Sequence, residues 1–188
     1  MHIVRRTMER YVTLRDEDWH RIAPAWKEHA FSKGSHVCRV GEVEQRFYIV
    51  DSGVQRMSFP HDGEDLCVGF SYDHSWSGAY DSFVSRKPSR FDILAITDSV
   101  LWGIEHGALQ ELYSELPVMD RFGRLILEEL IQGRATREIE QLSLSAEERY
   151  DRLVKRSPHL LQLVPQKDIA SYLRMTPETF SRLRAKRS

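Results

Sequence analysis

Apolar residues change their spacing twice along the chain. Trp19, Ile22, Ala23 and Trp26 recur at helical spacing, and Thr13 with Asp16 resembles a capping box, so a first helix is expected over roughly 14–30. From Ser35 to about Ile104 the period shortens. HVCRV, RFYIV, VQRMSF, DLCVGF, FDILA and SVLWGI are β-rich runs separated by Gly34, Gly41-Glu42, Asp51-Ser52-Gly53 and Asp62-Gly63. Asp62-Gly63 predicts a type I′ hairpin, whose two central residues both need positive φ. Regularly spaced short strands read as a sandwich or small barrel.

After Gly107 the helical period returns and stays. Ala108 to Leu116 is a short amphipathic piece. Pro117 suits the first turn of a longer helix, expected to reach Leu142, about 26 residues or roughly 39 Å. Met119, Phe122, Ile126 and Leu130 mark one apolar stripe, widened by Leu125, Leu127 and Ile131. A stripe this wide points to a symmetric dimer seam, with packing on its own domain as the alternative. Ser145 and Glu148 form a further capping box, opening a helix to about Arg156.

Charge changes the picture of the tail. The chain has 188 residues, 41% hydrophobic and 29% charged, with a formal net charge of -1. From Asp151 onward nine basic residues face three acidic ones, a balance of +6 that leaves -7 for residues 1–150. An acidic body with a basic tail suggests that the tail meets a polyanion. Within that tail, Ile169, Ala170 and Leu173 share a helix face and Arg174-Met175-Thr176 interrupts. Thr176 as N-cap and Pro177 as first residue then start a second helix, with Phe180 and Leu183 turned inward. This is the pattern of a helix-turn-helix, an unrelated terminal helical hairpin being the alternative. Its second helix presents Glu178 for a cytosine amino group and Arg182 for guanine. Lys167, Arg174, Thr176, Lys186 and Arg187 are the candidate phosphate contacts.

Gly41-Glu42, Phe47-Tyr48-Ile49-Val50, Ser52-Gly53-Val54, Asp62-Gly63-Glu64, Ile169-Ala170-Ser171-Tyr172-Leu173 and Glu178-Thr179-Phe180-Ser181-Arg182 together resemble the CRP/FNR (cyclic-AMP receptor protein / fumarate-nitrate regulator) family of bacterial transcription regulators. The likeness spans nearly the whole chain. It implies an α+β fold: a double-stranded β-helix, or β-roll, of cyclic-nucleotide-binding type over 1–116, a dimerisation helix over 117–142, and a helix-turn-helix domain over 143–188. It also implies a homodimer on palindromic double-stranded DNA, with Glu178, Ser181 and Arg182 as base readers of TTGA-like half-sites. RNA polymerase and a small-molecule effector are the further partners it implies.

Three departures from the family pattern matter. The family's cassette pairs a Gly-Glu with a downstream Arg-Ser/Thr beside the nucleotide phosphate. Here the region reads Gly78-Ala79-Tyr80 and Ser89-Arg90, with no carboxylate at 79 and the Arg displaced by one. These five residues are the candidate effector pocket, and cyclic nucleotide is disfavoured as its ligand. The turn of the helix-turn-helix carries Arg174 where Gly is usual, so a positive φ there costs about 1 kcal/mol. No wing is evident after the second helix.

No resident cofactor or metal is expected. Eight His residues are scattered without a ligand template, which weakens the rival reading of a cupin-like metalloenzyme. GxSxG and P-loop patterns are absent, so no catalysis is expected. Cys38 and Cys67 make no CxxC, and the start has no apolar signal core, so a cytoplasmic, membrane-free protein is expected. The other rival is a ligand-binding or protein-interaction module whose tail no longer grips DNA.

Overall fold

The computed structural model describes residues 2–187. Helices α1 (Ile3–Met8) and α2 (Asp16–Ile22) lead into strand β1 (Trp26–Phe31) through a 3-10 turn at Ala23–Ala25. The helix expected over 14–30 is thus helix and strand in turn. Pro24 has no N–H to donate to a carbonyl one turn back, so the helix ends before it. Arg15, not Thr13, stands at the N-cap of α2.

The roll continues with β2 (His36–Cys38), β3 (Arg46–Ser52), β4 (Gln55–His61), β5 (Glu64–Ser71), β6 (Trp76–Ser77), α3 (Tyr80–Ser85), β7 (Asp92–Ala95) and β8 (Ser99–Glu105). Two four-stranded antiparallel sheets result, ordered β1-β8-β3-β6 and β2-β7-β4-β5. The six apolar runs are six of these strands. β1 and β6 were hidden, the first in a helical period and the second by its length of two residues. Asp62 and Gly63 adopt φ of 50° and 80°, closing the β4–β5 hairpin as a type I′ turn requires.

β3 is buried on both faces. Tyr48 and Val50 point between the sheets with Leu101. Phe47 and Ile49 point outward, into a core shared with α1, α2 and the helices that follow β8. Those are α4 (His106–Glu115) and the 27-residue α5 (Pro117–Ser143). Met119, Phe122 and Ile126 belong to this core and are at most 2% exposed, with Leu130 half-buried against it. The stripe read as a partner seam therefore packs on its own domain, because α2 and the unforeseen α1 help to cover it. A second apolar face of α5 remains open: Leu127, Ile131, Ile139 and Leu142, from 41% to 82% exposed. They lie within about 120° of one another at ~100° per residue.

The remaining helices are α6 (Ala146–Arg156), α7 (Leu160–Leu163), α8 (Gln166–Tyr172) and α9 (Pro177–Arg187). The α6 capping box forms as expected: Glu148 N–H donates to Ser145 Oγ at 3.3 Å, and Ser145 N–H to Glu148 Oε2 at 2.8 Å. These helices share one apolar core with the outer face of the β2-β7-β4-β5 sheet, where Val54, Cys67 and Ile96 meet Leu153, Leu160, Ile169 and Phe180. No helix among the described residues is long and apolar enough to cross a membrane.

Candidate nucleic-acid interface and effector cassette

Helices α8 and α9 meet through Ala170 and Phe180, both fully buried, and Phe180 packs at 5.7 Å from the Tyr150 ring of α6. Small Ala170 allows the close approach and the Phe180 ring fills the angle between the helices. Thr176 caps α9 by accepting the Thr179 N–H at 3.3 Å, and Pro177 follows where its missing N–H costs nothing. Arg174 adopts φ 55°, the left-handed conformation usually left to Gly. What offsets that strain comes from α6. The Arg149 guanidinium donates to Leu173 O at 2.8 Å, Arg174 O at 3.2 Å and Leu144 O at 2.5 Å, tying the turn's free carbonyls to the preceding linker. Arg149 carries no motif and was invisible in the sequence.

Glu178, Ser181 and Arg182 are exposed together on α9, opposite Phe180 and Leu183. The Glu178 carboxyl folds back on its own backbone N–H and the Thr176 hydroxyl, which hold it below the usual carboxylate range. The basic residues divide into two groups. Lys167, Arg174 and Thr176 line a cleft of about 810 Å³ between the helix-turn-helix and the β4–β5 hairpin, whose Glu64 and Asp65 form the opposite wall. Lys186 and Arg187 turn back onto α6 instead, pairing with Glu147 at 3.4 and 2.9 Å, and Arg187 also with Asp151.

The first helix of the motif is docked on the roll. Arg56 of β4 and Asp168 of α8 form an ion pair at 2.7 Å with 11% and 8% of their side chains exposed. Beside it, Cys67 N–H donates to Ser171 Oγ at 2.9 Å, and Phe70 packs on Tyr172 at 5.2 Å. Arg137 of α5 lies 3.5 Å over the Tyr172 ring and donates to Tyr172 O at 2.9 Å. The roll, the long helix and the helix-turn-helix therefore converge on α8.

The polar groups of the five cassette residues are turned to partners within the chain. Gly78 adopts φ 112°. Ala79 is fully buried, and its N–H donates to Glu44 Oε2 at 3.2 Å. Tyr80 faces outward onto Phe47 at 5.1 Å, in the helix-covered core. Ser89 bonds within its own loop, its Oγ donating to Phe91 O at 2.8 Å and accepting from Phe91 N–H at 3.0 Å. Arg90 is exposed and pairs with Asp81 of α3 at 3.1 Å. The carboxylate that reaches the cassette belongs to Glu44, which the sequence reading passed over. It is 3% exposed, and burial pushes its carboxyl up.

Residues 28–115 match the family model of the cyclic nucleotide-binding domain. FixK2 from Bradyrhizobium japonicum superposes with a TM-score of 0.71 at 19% identity, covering 86% of this chain and 83% of its own. Catabolite activator protein from Thermus thermophilus gives 0.60 at 19%, with 96% and 85% covered. The c-di-GMP responsive global regulator CLP of Xanthomonas campestris gives 0.65 at 16%, with 92% and 91%. The chain has the fold of the CRP/FNR regulators.

Within that fold, the order of roll, long helix and terminal helical domain is the one the sequence resemblance implies. The β-roll reading prevails over a generic barrel because strands β1–β8 and the short α3 occupy the positions that the matched domain spans. Other chemistry in the CRP/FNR-like roll is muted. Burial pushes the Cys38 and Cys67 thiols up to about 12, which keeps both protonated at neutral pH. His36 is paired with Asp92 at 3.0 Å, and among the described residues no three His, Cys, Asp or Glu side chains are grouped to hold a metal ion.

Proposed function

We propose that the chain is a dimeric, cytoplasmic, sequence-specific DNA-binding transcription regulator of the CRP/FNR kind. The observation that carries this reading is α9. Its polar edge offers Glu178, Ser181 and Arg182 together to solvent, on a helix held by a capped start and a buried Phe180. Two of the similar structures are an activator protein and a global regulator, which supports the same reading. Residues 1–116 are the effector-type roll, 117–142 the dimer helix and 143–188 the DNA-binding domain. Glu178, Ser181 and Arg182 specify bases. Lys167, Arg174 and Thr176 take phosphates directly, whereas Lys186 and Arg187 do so only on leaving Glu147 and Asp151.

Selection of random duplexes on the purified protein tests the reading. A palindromic, TTGA-like motif with steep salt dependence is the expected result. Arg182→Ala is then expected to cost about 1–3 kcal/mol on the selected site and to relax one base position. An equal loss on selected and random duplexes removes the base-reading role. Failure to enrich any motif favours the module that no longer grips DNA.

The dimer seam in this reading is the open face of α5, not the buried one. Leu127, Ile131, Ile139 and Leu142 form an apolar strip that a second copy of the same helix covers by two-fold symmetry. Placing a charge at its centre with Ile131→Glu is expected to weaken self-association by at least about tenfold. Light scattering coupled to gel filtration reads this directly. An unchanged dimer moves the seam elsewhere.

A further inference from the structure

The cassette of the roll is filled from within. Glu44 sits just before β3, and its carboxylate accepts two backbone N–H groups: Arg46 on Oε1 at 3.2 Å and Ala79, the N-cap of α3, on Oε2 at 3.2 Å. Two further bonds fix the residue in place. Its own N–H donates to Ser82 Oγ at 3.0 Å, and its carbonyl accepts Arg86 Nη1 at 2.8 Å. Gly78 is part of the same arrangement. A Cβ there would stand 3.2 Å from Arg46 O and 3.5 Å from Glu44 Oε2, so the glycine lets segment 78–79 close over the carboxylate.

The surrounding charges make this occupancy selective. The guanidinium of Arg46 is directed to Glu105 at 2.8 Å, that of Arg90 to Asp81 at 3.1 Å, and that of Arg86 to Glu44 O and Gln45 Oε1. None of these contacts brings a cation onto the Glu44 carboxylate. A phosphate entering here needs the same N–H groups that Glu44 already holds, and it meets a buried negative charge with nothing to neutralise it. Ser89 offers no spare donor, since its hydroxyl proton goes to Phe91 O. We infer that Glu44 is the specificity-determining residue of the roll, an internal anion that closes the cassette to phosphate-bearing ligands, cyclic nucleotides included. This holds whether or not α9 reads DNA.

The test follows the amide resonances of Arg46 and Ala79 in the full chain while cyclic AMP or inorganic phosphate is added to about 10 mM, far above a functional affinity. In the natural sequence neither resonance is expected to move. Two variants separate charge from shape. Glu44→Gln keeps the volume and removes the charge, and Glu44→Ala also frees both N–H groups. In each the two resonances are expected to shift saturably, with half-saturation at least about tenfold lower than any response of the natural chain. Where Glu44→Ala does not fold, Glu44→Gln carries the test alone. Saturable movement in the natural chain below about 1 mM cyclic AMP overturns the inference, as do folded variants whose resonances stay still.

Discussion

Arg56→Ala is expected to destabilise the full chain by about 3–5 kcal/mol, because it leaves Asp168 as an uncompensated charge under the roll. Asp168 is 6% exposed, and among the described residues its carboxylate is bonded to the Arg56 guanidinium alone, at 2.7 Å. The reciprocal change is milder for a structural reason. After Asp168→Ala, Arg56 keeps a second carboxylate, Asp65, at 3.6 Å and half open to water, so the cost falls towards the lower end, about 3 kcal/mol. Replacing both partners with well-packed Met and Leu is expected to be neutral or stabilising, since the pair's desolvation cost disappears with it. Urea unfolding of the three variants decides the matter. A loss below about 1 kcal/mol for Arg56→Ala would mean that water reaches Asp168 and that the docking of α8 rests on its apolar contacts and the Cys67–Ser171 hydrogen bond instead.

The second large effect concerns two neighbours in sequence. Phe180→Ala should remove about 3–5 kcal/mol of stability, the usual cost of emptying a fully buried aromatic site. Phe180 is unexposed, packs on Tyr150 and lies in the core that joins α6–α9 to the roll. Its loss is therefore felt across both units in a single unfolding transition. Ser181→Ala, one residue along and exposed, is expected to change stability by no more than about 0.5 kcal/mol. In the proposed function Ser181→Ala weakens binding to the selected duplex while the chain stays folded. The pair thus separates folding of the motif from its use. A comparable stability loss in both variants would contradict the assignment of Ser181 to the outward edge.

Local chemistry was legible from residues a few positions apart. Asp62-Gly63 needed positive φ at both positions and has it, Ser145 and Glu148 exchange their capping bonds, and Arg174 takes the left-handed turn that Gly usually fills. Each is a backbone requirement met within about four residues, so the sequence carries it complete. Where a single residue overrode a period, the reading erred. Pro24 ends α2 and turns Trp26 into the start of β1, although Trp26 continues the helical spacing of Trp19 and Ile22.

An all-β middle, a long helix and a helix-turn-helix, in that order, were determined by the sequence itself, because hydrophobic period and turn residues select element type without knowledge of neighbours. That the strands form a roll was implied by the family resemblance. Which surfaces those elements present was decided only in three dimensions. α5 has two apolar faces. The burial of Met119, Phe122 and Ile126 rather than Leu127, Ile131 and Ile139 depends on where α1, α2 and α4 lie, which no spacing along α5 encodes. Glu44 is separated from Ala79 by 35 positions, and Arg56 from Asp168 by 112. A carboxylate becomes an internal ligand or half of a buried ion pair only when folding removes water around it and brings a donor within reach. That desolvation belongs to the packed chain, and it is what closes the cassette and fastens α8 to the roll.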